Sequence, residues 1–173
     1  MFFFFCIFAL KKVVSFTLMK STLFYSKILL FGEYGIIKDS KGLAIPYNSY
    51  NGTLKKVPLS EQNKEQEQSN RSLAKYFVYL SEITQGEAPL VQFDMERLSE
   101  DIAQGMYFDS SIPQGYGVGS SGALVAAIYD TYAIDKIEAT ETLTRDKLLR
   151  LKEIFSLMES FFHGKSSGLE LIS

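Results

Sequence analysis

The sequence has few of the residues that build disulfides, metal centres and histidine-dependent catalytic sites. Cys6 is the only cysteine, so an internal disulfide and a cysteine-based metal site are both excluded. This composition suits a reducing compartment, and we expect a cytoplasmic protein. His163 is the only histidine, which makes a histidine-rich metal centre, or a Ser-His-Asp triad elsewhere in the chain, hard to build.

The sequence also lacks an excess of charge of either sign. It carries 18 Lys and Arg against 20 Asp and Glu, a net charge of −2, and no run of basic residues stands out. Nucleic-acid backbones are bound by basic surfaces, so we expect no nucleic-acid partner. The 173 residues, 46% of them hydrophobic and 22% charged, suit one globular domain, or one domain and part of a second.

The N-terminal segment lacks the features of a membrane span or a secretion signal. Its apolar run at residues 2–10 is too short to cross a bilayer, and Lys11 and Lys12 follow the run instead of preceding it. We therefore predict that residues 1–18 are a mis-assigned start or an extension outside the domain, which then covers residues 19–173. We expect no stable membrane association, and a membrane-targeting segment is the alternative interpretation.

Short strands and helices intermix along the rest of the chain without a strict strand–helix–strand repeat, which predicts an α+β fold. Strand-like segments lie at 22–31, 43–47, 53–57, 90–93 and 107–112. Helices are predicted at 71–83, 95–106, 120–132 and 145–162. Asn51-Gly52 predicts a hairpin turn between two of the strands, and the polar residues 58–70 predict a surface loop.

The stretch PQGYGVGSSGAL at residues 113–124 places three glycines at alternate positions before two serines and an apolar helix. Alternate glycines let a backbone fold tightly, so that successive N–H groups point into one concavity that binds an anion. The N-terminus of the following helix adds free N–H donors and the positive end of its dipole. A glycine-rich turn with a serine cap is the simpler interpretation, but the alternate glycines and paired serines favour a polyphosphate site.

Two common phosphate-binding motifs do not fit this stretch. A Walker A loop needs a lysine after its last glycine, and Ser120 stands there. The dinucleotide fingerprint needs GxGxxG spacing, whereas Gly115, Gly117 and Gly119 follow GxGxG spacing. The loop therefore belongs to neither class.

Three stretches together resemble the motifs of the GHMP kinases, a family that includes mevalonate, phosphomevalonate, homoserine and galactose kinases. PQGYGVGSSGAL is similar to their second motif, P-x-G-x-G-x-G-S-S-[AG]-A. YSKILLFGEY at 25–34 resembles the opening motif of mevalonate kinases, and ESFFHGKSSGLE at 159–170 resembles their E-x-x-x-H-G-x-P-S-G-[VIL]-D segment. The resemblance implies the α+β fold of the family's N-terminal domain, which is ribosomal protein S5 domain 2-like, with the C-terminal domain absent.

The resemblance also implies an activity and its partners. The expected protein is an ATP-dependent kinase that uses Mg²⁺, phosphorylates the hydroxyl of mevalonate to give 5-phosphomevalonate in isoprenoid precursor synthesis, and can form a homodimer. The ATP-binding domain at 19–173 is then incomplete at its C-terminal end. The alternatives are a kinase acting on phosphomevalonate, homoserine or a sugar, an inactive truncated kinase, and a non-catalytic nucleotide-binding remnant.

The first and third motifs supply the residues expected to act on the substrate. Lys27 and Glu170 are the implied catalytic residues, and Glu33, Tyr34 and His163 are the implied substrate contacts. Lys27 interrupts an apolar strand, where a buried lysine is costly unless it is paired, and an exposed lysine of an edge strand is the alternative. Glu170 stands where the family has aspartate, and Tyr34 stands where it commonly has histidine.

The glycine loop and the last helix supply the residues expected to hold the nucleotide. The implied ATP-binding residues are Ser110, Gly115, Tyr116, Gly117, Val118, Gly119, Ser120 and Ser121. The implied Mg²⁺ ligands are a hydroxyl of Ser120 or Ser121 and the carboxylate of Glu159, which are hard oxygen donors. A solvated helical carboxylate is the alternative interpretation of Glu159.

Overall fold

The computed structural model describes residues 11–13, 22–31, 43–116, 118–138 and 142–163. The strands in these ranges are β1 (Lys11–Val13), β2 (Thr22–Phe31), β3 (Leu43–Lys56), β4 (Gln92–Phe93), β5 (Met106–Ser110) and β6 (Ala133–Ile134). The helices in them are a 3₁₀ turn at Leu59–Glu61 and the α-helices α1 (Lys64–Ile83), α2 (Met95–Ala103), α3 (Ser120–Tyr132) and α4 (Arg145–His163). This mixture agrees with the predicted α+β class.

The main sheet is antiparallel, with the described strands in the order β1-β2-β3-β5. The strands β4 and β6 form a separate antiparallel pair that joins the chain before α2 to the chain after α3. Lys11–Val13, which lie in the segment predicted to fall outside the domain, pair with β2 as one edge of the main sheet. The domain boundary at residue 19 stays a prediction.

The hairpin predicted at Asn51-Gly52 is wrong, because Leu43–Lys56 form one continuous strand. Gly52 pairs with β2 on one side and with β5 on the other. A Cβ at Gly52 would lie 2.3 Å from Cζ of Phe108. The glycine therefore makes room for an aromatic ring in the middle of the sheet, and it does not turn the chain.

Helix α1 begins at Lys64, so the surface loop predicted at 58–70 is wrong over much of its length. Asn63 caps the helix: its side chain accepts from the N–H of Gln66, and the Gln66 side chain accepts from the N–H of Asn63. Asn70, which directly precedes the helix predicted at 71–83, lies inside the observed helix. Its side-chain amide donates to main-chain carbonyls at the end of α2 and the start of β5.

The remaining elements lie close to their predicted positions. The structure confirms the strand at 22–31, the helix at 120–132 and, within one residue, the helix at 145–162. Helix α2 ends earlier than predicted, since Gly105 takes a φ of +89° and its carbonyl accepts from Val57. A Cβ at Gly105 would clash with the Val57 carbonyl oxygen at 2.0 Å.

The hydrophobic core lies between the main sheet and the helices, with α3 at its centre. Helix α3 contacts β2, β3 and α4, and small residues on it keep these contacts close. Its buried side chains are Ala123, Val125, Ala126, Ala127, Ile128, Tyr129 and Tyr132. The first turn of α3 is therefore held between β2 and α4. None of the helices in the described ranges combines the length and apolarity that a membrane span requires.

Candidate active site at the glycine loop

The glycine loop uses left-handed backbone at two of its described positions. Gly115 has a φ of +81° and Gly119 a φ of +85°, a region that side chains with a Cβ rarely adopt. The space around Gly115 is open: apart from its chain neighbours, none of the described residues comes within 4 Å of the place where a Cβ would stand. Tyr116 beside it is 79% exposed. The apex of the loop is thus accessible from solvent, while Gly119 sets its junction with α3.

The junction between the loop and α3 is made by Gly119, which is the N-cap of the helix. It has no side chain to accept from the first-turn N–H groups, so the serine cap of the simpler interpretation is not observed at the N-cap. Ser120 and Ser121 form the start of the helix and are half-buried. The first turn of α3, which contains no acidic residue, therefore offers donors and a positive dipole end to an anion.

Strand β2 brings Lys27 to this junction. Its main-chain N–H donates to the carbonyl oxygen of Val118 at 3.0 Å, which ties the strand to the loop. Its side chain runs past Gly119, where a Cβ would lie 2.9 Å from Lys27 Cγ and 3.2 Å from Lys27 Cε. Lys27 is half-buried. The first and second motifs, far apart in the sequence, are therefore in direct contact.

Helix α4 brings Glu159 to the same turn from the other side. Glu159 Oε1 lies 3.1 Å from the place where a Cβ on Gly122 would stand. Gly122 is buried in the first turn of α3, two residues after Ser120. The missing side chain of Gly122 lets a carboxylate approach a helix N-terminus, where its charge is favoured. The motif that begins at Glu159 thus also meets the glycine loop.

Ser110 lies at the end of β5, on the chain that leads into the loop. Its hydroxyl oxygen accepts from the N–H of Ile112 at 3.1 Å, and the residue is exposed. It borders a surface cavity of about 300 Å³ whose other lining residues are Leu23, Asn51, Thr53, Lys55, Asp109 and Ser111. Ser110 is therefore next to the loop in the chain, and the described hydrogen bond of its hydroxyl is to Ile112, two residues away.

Several predicted site residues lie outside the described residues, namely Glu33, Tyr34, Gly117 and Glu170. His163 ends α4, and its side chain is likewise outside what the structure describes. Their expected roles stay predictions.

The donors near the first turn of α3 fit a magnesium ion shared with a nucleotide. Within the described ranges, no three acidic, histidine or cysteine side chains cluster closely enough to hold a metal by themselves. Glu159 and a hydroxyl of Ser120 or Ser121 would supply protein ligands, and phosphate oxygens and water would complete the octahedral shell that Mg²⁺ prefers.

Gly122 is the site residue that the sequence analysis missed. It stands inside the quoted motif, at the position where the family pattern allows only alanine or glycine. That restriction to small residues was the available signal. The structure gives it a physical reason in the carboxylate of Glu159.

Comparison with known proteins agrees with the motif resemblance. No curated protein and no solved structure matches the chain. A family model described as the GHMP kinases N terminal domain matches residues 89–171, which contain the glycine loop, α3, α4 and Glu159. Over these residues the chain is similar to the N-terminal domain of the GHMP kinases, and the match supports placing it with this family of ATP-dependent kinases.

Proposed function

We propose that the chain is the N-terminal, nucleotide-binding portion of a kinase that transfers the γ-phosphoryl group of ATP to the hydroxyl of mevalonate. The observation that carries the proposal is the meeting of Lys27, the loop end at Gly119 and Glu159 around the first turn of α3. These groups come from three separate elements. Lys27 is a cation and Glu159 a carboxylate, and phosphoryl transfer uses such groups to neutralise charge and to hold Mg²⁺. The family match over residues 89–171 supports the same conclusion.

The triphosphate would lie against the loop and the N-terminus of α3. Main-chain N–H groups between Gly115 and Ser121 would donate to the phosphate oxygens. Glu159 and a hydroxyl of Ser120 or Ser121 would hold Mg²⁺, which neutralises charge on the phosphates when bound. Ser110 and Tyr116 would border the nucleotide.

The substrate hydroxyl would lie on the Lys27 side of the loop. Its oxygen attacks the γ-phosphorus, the bond to the bridging oxygen breaks, and ADP leaves with the electron pair. Lys27 would stabilise the developing negative charge on the attacking oxygen. Glu170 would orient the hydroxyl or accept its proton, and Glu33, Tyr34 and His163 would contact the rest of the substrate.

The choice of mevalonate depends on the motif at 159–170, and phosphomevalonate, homoserine and galactose are the competing acceptors. The homodimer, the cytoplasmic location and the ribosomal protein S5 domain 2-like topology belong to the same proposal.

The test is an ADP-release assay of the chain with Mg·ATP and each of the four acceptors, with Lys27→Met as the matched negative control. We expect turnover with mevalonate in the wild-type chain and at least a roughly hundredfold lower rate in Lys27→Met, the usual scale for losing a transition-state charge contact. Turnover with another acceptor alone would refute the mevalonate assignment. Tight Mg·ATP binding without transfer to any acceptor would instead identify a non-catalytic nucleotide-binding protein, and absence of Mg·ATP binding would refute the nucleotide site.

A further inference from the structure

Helix α1 directs two tyrosine hydroxyls at α4 beside Glu159. Tyr76 and Tyr79 are three residues apart and share one side of α1. The Tyr79 hydroxyl donates to the carbonyl oxygen of Leu157 at 2.6 Å. It also lies 2.6 Å from Ser160 Oγ, and because its single proton goes to Leu157 it can only accept in that contact. These partners lie on both sides of Glu159 in the chain.

The Tyr76 hydroxyl makes the second anchor. It donates to the carbonyl oxygen of Met158 at 3.2 Å, and Tyr76 is only 1% exposed. Burial raises the pKa of Tyr76 far above its usual range, and the charges of Tyr79 and Glu159 add to the rise. The Tyr76 hydroxyl therefore keeps its proton and acts as a donor at physiological pH. The negative charge of Glu159 favours this protonated form.

Bonds to main-chain carbonyls restrict a helix in a way that ring packing alone does not. The rings of Phe161 and Phe162 lie 5.1 Å from that of Tyr76, a contact that tolerates small rotations of α4. A hydroxyl bonded to one carbonyl fixes the rotation and height of the turn that carries it, because successive residues differ by about 100° and 1.5 Å. Rotation of this turn would move the Glu159 carboxylate away from Gly122.

We propose that Tyr76 and Tyr79 are positioning residues, which hold α4 in the one orientation that keeps the Glu159 carboxylate at the first turn of α3. This inference rests on the proposed function, in which that carboxylate is a ligand of the nucleotide's divalent cation. The described hydroxyl contacts of both tyrosines are to α4. Their effect passes through the main chain of residues 157–160.

A simpler role would be the pairing of one buried and one half-buried hydroxyl that only need acceptors. The control for that role is Tyr129, which is also buried and whose hydroxyl accepts from the N–H of Ile137 at 2.9 Å. Its ring also packs on α4, 5.0 Å from that of Phe155. Tyr129→Phe therefore removes a hydroxyl from a ring against the same helix, but the described bond of that hydroxyl is to Ile137 and not to the main chain of α4.

The experiment measures Mn²⁺ binding by electron paramagnetic resonance, using the whole chain saturated with ADP, in the variants Tyr76→Phe, Tyr79→Phe and Tyr129→Phe. We expect Mn²⁺ affinity to fall roughly threefold to tenfold in Tyr76→Phe and Tyr79→Phe, the scale of one lost hydrogen bond, and to stay at the wild-type value in Tyr129→Phe. Glu159→Gln serves as the reference for complete loss of the ligand. Equal Mn²⁺ affinity in all three phenylalanine variants, at similar melting temperatures, would overturn the proposal.

Amide hydrogen exchange of α4 tests the positioning role of the tyrosines independently of whether the chain binds a nucleotide. We expect faster exchange at Met158–Phe162 in Tyr79→Phe than in Tyr129→Phe, with or without nucleotide. If the wild-type chain binds no Mn²⁺ with ADP, the kinase proposal fails, and the exchange data then decide the positioning proposal. Unchanged exchange in Tyr79→Phe would overturn it.

Discussion

Gly119 meets two separate constraints at one position. Its φ of +85° excludes most residues that carry a Cβ, and its missing side chain leaves the room that the Lys27 side chain occupies. Alanine at this position is therefore strained by its backbone and would also displace Lys27. Gly86 shares the first constraint alone, since its φ is +126° and no residue in the described part of the chain, other than its neighbours, lies within 4 Å of its missing Cβ.

This contrast gives a prediction about nucleotide affinity. Gly119→Ala and Gly86→Ala should each lose about 1–2 kcal/mol of unfolding free energy, because both force alanine into left-handed backbone. Titration calorimetry with Mg·ATP should show weaker binding in Gly119→Ala and unchanged binding in Gly86→Ala. Wild-type affinity in a folded Gly119→Ala variant would mean that the loop junction does not hold the nucleotide.

Glu159 gives a second prediction, about the dependence on Mg²⁺. Glu159→Gln keeps the shape of the side chain and removes its charge, so the Mg²⁺ concentration needed for half-maximal ATP binding should rise more than roughly tenfold. Glu153 lies exposed on the same helix, and Glu153→Gln should leave the Mg²⁺ dependence unchanged. An equal effect of both substitutions would indicate a general charge effect of α4 and no metal ligand at Glu159.

At the scale of elements, a polar cluster joins α2, α3 and β3. Asp101 of α2 is 8% exposed and accepts from the Tyr132 hydroxyl at 2.6 Å and from Lys56 Nζ. Burial alone would raise the pKa of Asp101, but the hydrogen bonds from Lys56 and Tyr132 and the positive charges of Lys56 and Arg97 together hold that pKa below its usual value. The ionised carboxylate is thus stabilised in the folded state.

The lowered pKa of Asp101 predicts that part of the unfolding free energy is lost at acidic pH. A group whose pKa is depressed by folding stabilises the protein above its unfolded pKa, and this share is lost as pH falls through the folded pKa. Asp101→Asn should therefore lower the unfolding free energy near pH 7 by about 1–3 kcal/mol and flatten its decline below about pH 4. Urea unfolding at a series of pH values tests this, with the exposed Asp109→Asn as control. A wild-type decline in Asp101→Asn would contradict the assignment.

Some helices and strands could be predicted from sequence patterns, and others could not. Helix α4 was predictable because its apolar residues recur at spacings of three and four. The strand at 22–31 and helix α3 were predictable because each is a short, mostly apolar run next to a glycine. The long strand β3 was not, because Gly52 carries a turn signature while its actual role is to accommodate the ring of Phe108 from another strand. The start of α1 was missed because the residues after Asn63 are polar, and only the capping box marks the helix there.

At the scale of the whole molecule, strand β2 of the main sheet and helix α4 both contact the start of α3. The motifs predicted that Lys27, the glycine loop and Glu159 act together, and the structure brings these three into contact. The motif signalled a small residue at position 122, but the reason for it, the approach of the Glu159 carboxylate, was not predictable. The contributions of Tyr76 and Tyr79 were not predictable either, since they depend on how closely α1 packs against α4. Such distances follow from tertiary packing and leave no periodic signal in the sequence.

The central claim is that the main-chain amides at the start of α3 and in the loop before it bind the phosphates of ATP. The most direct measurement is the ¹H–¹⁵N spectrum of the chain labelled with ¹⁵N at its 12 glycines, recorded during titration with Mg·ATP. The account predicts large shifts of the glycine amides within 115–122, while those of Gly52, Gly86 and Gly105 keep their positions. Saturable ATP binding that leaves the amides of 115–122 unmoved, or no binding at all, would contradict it.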